Sequence, residues 1–124
     1  MKLELKENMY VRNCYGRIAK IEYIEDNIAY CDNWLYQRYE EFIEFIDLND
    51  EEDINEITKV SFDIIDILEV GDYVNGYYVE DVLKTFVNVA VGSNYFQSPT
   101  IYEKDIKSIV TKKQFEDMEY KIGE

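Results

Sequence analysis

Nine carboxylates lie close together between Tyr39 and Thr58, with no lysine or arginine among them. These acids, here called the acidic run, are Glu40, Glu41, Glu44, Asp47, Asp50, Glu51, Glu52, Asp53 and Glu56. Grouped carboxylates can coordinate cations, act as an acid–base pair in catalysis, or present negative charge to a basic partner. The rest of the sequence decides between these three kinds of chemistry.

Calcium binding is the first possibility, because Asp47–Glu51 begins like the loop of an EF-hand. The sixth loop position is Glu52, where the turn requires glycine, and the twelfth is Thr58, where a bidentate glutamate is required. A zinc site also lacks its usual ligands, since the chain has no histidine and its only cysteines, Cys14 and Cys31, lack a CxxC spacing. We expect no metal site and no cofactor; weak cation binding by the clustered acids stays an alternative.

Catalysis is the second possibility, and the motifs that carry it are missing. Without histidine there is no Ser-His-Asp triad, and the chain has no GxSxG, P-loop or glycine-rich dinucleotide turn. Paired carboxylates alone can cleave glycosides, but they need a deep cleft that 124 residues rarely build. The sequence therefore predicts a non-enzymatic protein without catalytic residues.

Net charge favours the third possibility, a basic partner. The chain has 27 acids against 13 bases, a formal net charge of -14. Phosphate binding needs a basic patch, and the best basic grouping, Lys104, Lys107, Lys112 and Lys113, is interleaved with Glu103 and Asp105. We therefore expect no direct nucleic acid binding. A protein or ribonucleoprotein with a basic groove fits this charge instead.

Aromatic residues are interleaved with the acidic run, which is typical of a protein interface. Aromatic side chains supply affinity at such interfaces, while charges steer the encounter. The predicted partner-binding residues are Tyr36, Tyr39, Glu40, Glu41, Phe42, Glu44, Asp47, Asp50, Glu51, Glu52, Asp53 and Glu56, with Tyr36, Tyr39 and Phe42 as anchors. The alternative is a solvated acidic surface that only maintains solubility.

Alternating apolar and polar residues predict that short strands position these groups. Arg17–Ile24 reads as a half-buried strand, and Met9–Cys14 and Asn27–Cys31 flank it across turns, which predicts an antiparallel meander. A second meander is predicted from Tyr73–Val74, Tyr77–Leu83 and Thr85–Val91, with a further short strand at Asn94–Gln97.

Two segments break the strand pattern. Tyr39–Ile46 has apolar residues at helical spacing, which predicts one or two helical turns, and the Thr111/Gln114 capping box predicts a helix over Lys112–Met118. Asn49–Asn55 is predicted to be a linker. Ile57–Val70 is predicted to be a strand or an extended pass.

These elements predict a mainly β (β-rich α+β) fold of two small SH3-like antiparallel barrel or meander units, with a short central helical turn and a short C-terminal helix. The N-terminal acidic unit is expected at residues 1–56 and the C-terminal unit at 57–124; one fused domain is the alternative. Tyr10-Val11 recurs as Tyr73-Val74, and Tyr39 recurs as Tyr102 at the same separation along the chain. Either a tandem repeat or chance recurrence of common residues explains this.

The N-terminus and the cysteines bear on the compartment. Met1–Asn8 contains acids and lacks an apolar core, so it does not read as a signal peptide, and no stretch approaches the roughly 20 apolar residues of a membrane helix. We expect a cytoplasmic protein that does not enter membranes. Cys14 and Cys31 should then be reduced, a disulfide between neighbouring strands being the alternative.

Three segments together resemble a family of small uncharacterised proteins carried by phages and prophages of low-GC Gram-positive bacteria. They are Met9–Arg12 with its following hairpin, Ile64–Gly76 and Lys104–Phe115. The resemblance implies a phage setting and no established chemistry. Small acidic proteins in that setting often act against host defence, as anti-CRISPR proteins do when they occupy nucleic-acid-binding surfaces.

The leading hypothesis is therefore a phage-encoded inhibitor that acts in the host cytoplasm as a monomer or homodimer. It would bind a host nucleic-acid-handling defence complex, with a CRISPR effector as the favoured target, through an acidic face that mimics nucleic acid. The alternative is a structural or adaptor module of the phage life cycle that acts by self-association or virion assembly. A barrel that binds a small ligand is the third possibility.

Overall fold

The computed structural model describes residues 4–90 and 99–118. The chain is mainly β, with antiparallel sheets and one half-barrel, which confirms the predicted mainly β class. It divides into two compact units, Met1–Ile67 and Leu68–Glu124. The predicted strand Asn94–Gln97 lies outside the described residues.

The first unit is a five-stranded sheet with a hairpin and two short helical segments. Its elements are β1 (Tyr10–Asn13), β2 (Ile18–Glu25), β3 (Ile28–Cys31), β4 (Tyr36–Arg38), β5 (Glu41–Ile43), β6 (Phe45–Asp47), α1 (Glu51–Asn55), β7 (Ile57–Ser61) and a 3-10 helix (Ile64–Ile67). The strand order in the sheet is β6-β3-β2-β1-β7, and every described pairing is antiparallel. β4 and β5 form a separate two-stranded hairpin. The predicted meander of the first three strands is confirmed to within one residue at each end.

Alternation along these strands builds the core of the first unit. Asp26 and Asn27 both have positive φ, 52° and 64°, which is the geometry of the two-residue turn that joins β2 to β3. The apolar face that results is buried. Its buried members are Val11, Ala19, Ile21, Ala29, Cys31, Leu35, Ile46 and Ile57.

The second unit is built in the same way. Its elements are β8 (Tyr73–Val74), β9 (Tyr77–Val82), β10 (Phe86–Ala90), β11 (Thr100–Tyr102), a 3-10 helix (Glu103–Asp105), β12 (Ile109–Val110) and α2 (Lys112–Met118). The strand order is β11-β10-β9-β8-β12. The predicted capping box begins α2: Gln114 accepts from the Thr111 N–H at 2.9 Å, and the Thr111 hydroxyl accepts from the Gln114 N–H at 3.2 Å. The predicted C-terminal helix is confirmed.

The helical turns predicted over Tyr39–Ile46 are wrong. That segment contains the turn of the β4–β5 hairpin, all of β5 and the start of β6. Tyr39 has φ 56°, which a right-handed helix does not allow. The apolar spacing misled because the hairpin buries Ile43 and the next strand buries Ile46, and these two positions also share a helical face.

The linker predicted at Asn49–Asn55 is also wrong, because α1 occupies most of it. The Asp50 side chain accepts a hydrogen bond from the Glu52 N–H at 2.9 Å and so caps the helix. Three acids in the first turn complement the positive end of the helix dipole. Acidic composition is common in linkers, but at this position the acids favour the start of a helix.

The strand predicted within Ile57–Val70 is present as β7. It pairs with β1, with Val11 opposite Val60, and therefore belongs to the sheet of the first unit. The division between the compact units follows Ile67.

Ile21 offers a test of the core of the first unit. Its side chain is fully buried, so Ile21→Ala should lower the free energy of unfolding by about 2–5 kcal/mol, through lost burial and the cavity left behind. Glu25→Ala, at an exposed position of the same strand, should change it by less than about 0.5 kcal/mol. Urea denaturation followed by circular dichroism measures both. Equal midpoints for the two variants would contradict this account of the core.

Candidate partner-binding site

The β4–β5 hairpin carries the first part of the acidic run. Arg38 lies opposite Glu41, so Tyr39 and Glu40 form a two-residue turn. Such turns need positive φ, which glycine or asparagine usually supplies. Tyr39 adopts φ 56° although a tyrosine there costs about 1–2 kcal/mol. Its side chain is 93% exposed, so the hairpin tip presents a large ring to solvent at an energetic cost.

The base of the hairpin is fixed in the core of the first unit. Leu35 and Ile43 are buried there, and the Leu35 N–H donates to the Ile43 carbonyl at 2.7 Å. The Asn13 side-chain amide donates to the Leu35 carbonyl at 2.6 Å. The exposed tip is therefore carried on a rigid support.

A second exposed ring lies beside the tip. Phe42 is 55% exposed, and its ring centroid lies 5.0 Å from that of Trp34. The Arg17 guanidinium lies 3.6 Å above the Trp34 ring, and its Nε donates to the Trp34 carbonyl at 3.3 Å. This cation–π contact fixes the tryptophan on which Phe42 packs.

Five acids of the run are exposed. They are Glu40, Glu41, Glu44, Glu51 and Glu52. The first three accompany Tyr39 and Phe42 on or directly after the hairpin, whereas the last two lie on α1. The hairpin therefore combines exposed aromatic rings with exposed carboxylates on a pair of strands.

Asp53 has an internal role. It is only 8% exposed, and its carboxylate accepts from the Asp47 N–H at 2.9 Å and from the Tyr36 hydroxyl at 3.4 Å. A carboxylate that satisfies a backbone donor in this way holds α1 against the end of β6. Asp53 is therefore a structural acid in this unit.

Three more acids of the run accept hydrogen bonds within the unit. Asp47 accepts from the Asn49 N–H at 2.9 Å, and Asp50 caps α1. Glu56 accepts from the Tyr15 hydroxyl at 3.3 Å. These bonds tie the second part of the acidic run to its own fold.

Burial and mutual repulsion raise pKa values in this part of the unit. Partial burial raises the pKa of Glu56, although the Tyr15 hydroxyl bond opposes the shift, and the neighbouring Asp53 adds to it. The Glu56 charge is the main cause of the raised pKa of Tyr15. Burial, then the Asp53 charge, raises the pKa of Tyr36. Both hydroxyls therefore remain protonated donors to the acids beside them.

The structure thus separates nine of the twelve predicted site residues into two sets and leaves Glu44, Glu51 and Glu52 exposed outside the hairpin strands. The hairpin brings together Tyr39, Glu40, Glu41 and Phe42, whereas contacts inside the unit engage Tyr36, Asp47, Asp50, Asp53 and Glu56. Tyr36 is half-buried, with its ring 6.3 Å from that of Tyr15. The supporting residues Tyr15 and Arg17 were not predicted, because their partners lie far along the sequence and no local pattern connects them.

Both cysteines are free thiols. Cys31 is buried, and burial raises its pKa to about 12. Cys14 is exposed, and partial burial together with the Glu56 charge raises its pKa as well. Because the thiolate is the nucleophile, neither environment activates a cysteine for covalent chemistry.

In the part of the chain that the structure describes, no group of three or more Cys, Asp or Glu side chains is arranged to hold a metal ion. Within residues 4–90 and 99–118, no helix is long and apolar enough to cross a membrane. A recess beside Tyr36 offers about 10 Å³, room for a single water molecule.

Comparison with known proteins adds no constraint: no family model, curated protein or solved structure matches the chain.

Substitution of Asp53 and of its neighbour Glu52 tests the difference between a structural and an exposed acid. Asp53→Ala leaves the Asp47 N–H without its acceptor and should lower the free energy of unfolding by about 1–3 kcal/mol. Glu52→Ala removes the same charge from an exposed position and should change it by less than about 0.5 kcal/mol. Chemical denaturation of both variants checks this. A larger loss for Glu52→Ala would contradict the assignment.

Proposed function

We propose that the protein is a non-enzymatic, phage-encoded inhibitor that binds a host nucleic-acid-handling defence complex through the β4–β5 hairpin. Tyr39 carries the proposal. Its positive φ is a backbone strain that glycine would remove, and its ring is almost fully exposed. Strain of this kind is typical of a residue that serves a function. Aromatic anchors of this kind dominate the affinity of protein interfaces.

Charge gives the class of partner. Glu40, Glu41 and Glu44 lie next to the exposed aromatic residues along the chain, and the whole chain carries a formal net charge of -14. A basic groove that normally holds phosphates is complementary to such a surface, and long-range attraction would speed the encounter. A CRISPR effector is the favoured target, bound in the host cytoplasm by a monomer or homodimer whose acidic face takes the place of nucleic acid.

The fold supports this function by supplying a rigid frame. We propose that both units are SH3-like, since each has a three-stranded meander, a fourth strand on the third, and a fifth strand on the first after a helical turn. In the first unit, Leu35 and Ile43 fix the hairpin to that frame. A preorganised hairpin loses little conformational freedom on binding.

The adaptor function is the second candidate, favoured by an aromatic patch in the second unit. Phe115 stacks on Tyr73 at 4.5 Å, and Tyr78 meets Tyr73 edge-on at 5.7 Å. Phe115 and Tyr78 are both more than two-fifths exposed. Exposed aromatic patches of this kind mark interaction surfaces, and self-association of the free protein would use this one.

Replacement of Tyr39 by glycine separates binding from stability. Tyr39→Gly relieves the positive-φ strain, so the free energy of unfolding should stay equal or rise by up to about 1 kcal/mol. Loss of the anchor should weaken target binding roughly 30-fold or more, the effect of about 2 kcal/mol at a hot spot. Chemical denaturation measures the free energy of unfolding, and interferometry with the purified effector measures the affinity. Unchanged affinity in a folded variant would exclude Tyr39 as an anchor.

Charge reversal on the hairpin tests the acidic part of the interface. The triple variant Glu40→Lys, Glu41→Lys, Glu44→Lys should slow association with the effector at least tenfold, and added salt should slow wild-type association. The control, Glu25→Lys, Asp63→Lys, Glu116→Lys, reaches the same formal net charge of -8 from exposed positions elsewhere. Equal association rates for both variants would leave net charge alone as the cause.

The adaptor function has its own test. It would be favoured if the free protein forms oligomers, if Phe115→Ala converts them to monomers, and if the protein does not bind the effector.

A further inference from the structure

The two units repeat one another in detail beyond their common strand order. In β2 and β3 of the first unit and in β9 and β10 of the second, the same positions pair after one constant shift in numbering. The matched pairs are Ile21–Cys31 with Val79–Val89, Tyr23–Tyr30 with Asp81–Asn88, and Ile24–Ala29 with Val82–Val87. The inward-facing members Ile21, Ala29, Val79 and Val87 are all fully buried.

The same irregularity interrupts both ladders. In the first unit the register skips Glu22, and in the second it skips Glu80, which the same shift makes equivalent to Glu22. A bulge adds one residue to a strand and so exchanges the faces of the side chains beyond it. A bulge bends its strand, and its equivalent placement is a further detail that the two units share.

Backbone hydrogen bonds at the ends of the strands also correspond. At the first strand, the Ile21 N–H donates to the Met9 carbonyl as the Val79 N–H does to the Asp72 carbonyl, both at 2.8 Å, and the N–H groups of Asn8 and Gly71 donate to the carbonyls of Ile21 and Val79. At the start of the fourth strand, the N–H groups of Cys31 and Val89 donate to the carbonyls of Glu44 and Pro99. At its end, the N–H groups of Leu48 and Glu103 donate to the carbonyls of Asn27 and Thr85. Asn8 and Gly71, equivalent in this scheme, both have positive φ, 71° and 100°. The correspondence therefore includes the entry into the first strand and both ends of the fourth.

We infer that the chain is a tandem duplication of one five-stranded unit, and that the two acid-bearing connections, before β6 and before β7, were extended in the first copy. The equivalent residues, in chain order, are Tyr10 and Tyr73, Ile21 and Val79, Ile46 and Ile101, and Val60 and Ile109. The difference in residue number between the two members of a pair decreases from each pair to the next along the chain. Three connections of the first copy are thus longer, by five, three and six residues.

This scheme corrects one of the two sequence matches. Tyr10 and Tyr73 are equivalent, because each pairs with the corresponding position of the next strand. Tyr39 and Tyr102 are not, although the same separation along the chain relates them. Tyr102 ends the fourth strand and is equivalent to Asp47. Tyr39 belongs to an extended connection that a constant shift cannot accommodate.

Charge differs in two of the three longer connections, since the one between β1 and β2 contains no acid. The connection before β6 contains Glu40, Glu41 and Glu44, and the one before β7 contains five acids between Asp50 and Glu56. The equivalent of the latter, Glu103–Ser108, has two acids and two lysines. The duplication itself rests on hydrogen bonds alone, whereas the extension of an interaction surface also rests on the proposed function.

An exchange of connections within the chain tests the duplication. We replace the twelve residues Leu48–Lys59 by the six residues of Glu103–Ser108, which brings Ile106 to the position of Ile57 in β7. A control receives the same six residues with the isoleucine moved by one place. Because a one-residue slip turns the side chain to the other face, the matched graft should melt at least about 5 °C above the control.

Nuclear Overhauser effects between Val11 and Val60 report whether the β1–β7 register survives in the matched graft. The reciprocal graft, Leu48–Lys59 in place of Glu103–Ser108, gives a second reading in the other copy. A cooperative transition with native register in either matched graft, above its shifted control, supports the duplication. Equal melting of matched and shifted grafts in both copies, or no folding in any of them, overturns it.

These measurements need no binding partner, so they are independent of the proposed function. Affinity for the effector is then measured on the folded matched graft. Weaker binding supports α1 as part of the added surface, and unchanged binding restricts the added surface to the hairpin. If Tyr39→Gly leaves binding intact, the proposed function fails while the duplication can still hold.

Discussion

The first unit depends on the way in which its sheet holds Ile21. The backbone of this residue donates to Met9 and accepts from Asn8, while its ladder partner on the other side is Cys31. One residue thus joins three segments of chain, and its fully buried side chain lies in the core that they enclose. Short strands have few hydrogen bonds each, so a position that fixes register on both sides determines which faces of the neighbours are buried. The bulge at Glu22 follows directly and keeps Ile24, opposite Ala29, facing the core.

A frame fixed in this way can carry a high charge. Residues 1–67 contain 17 acids and 7 bases, so they hold -10 of the -14. Such charge destabilises a compact state through repulsion unless the acids make stabilising hydrogen bonds within it. Asp50 caps α1, Asp53 accepts from the Asp47 N–H, and Glu56 accepts from Tyr15. Within the acidic run, the acids with such bonds help to order the connection before β7, whereas Glu40, Glu41, Glu44, Glu51 and Glu52 are exposed.

The sequence predicted what local patterns determine. Alternation predicted β1 to β3, and the capping box predicted α2, because the residues responsible are neighbours. The hairpin turn was missed because tyrosine is not a residue that turns favour, and α1 was missed because its five residues depend on one cap. The roles of the acids were the least predictable. Asp53 and Glu52 are adjacent and chemically alike, yet only tertiary packing places Asp53 against the Asp47 N–H and leaves Glu52 in solvent.

Separation of frame from connection also explains why the strain sits at Tyr39. Substitution at a core position such as Ile21 disturbs three segments at once, so the frame can change little. The hairpin tip does not hold the register of the sheet, so substitution there leaves the buried base of Leu35 and Ile43 in place. Without a use for the ring, selection for stability would favour glycine or asparagine at the turn, since either removes the positive-φ cost. Under the proposed function, the reason for a tyrosine at this turn lies outside the folded unit, in the partner that the hairpin contacts.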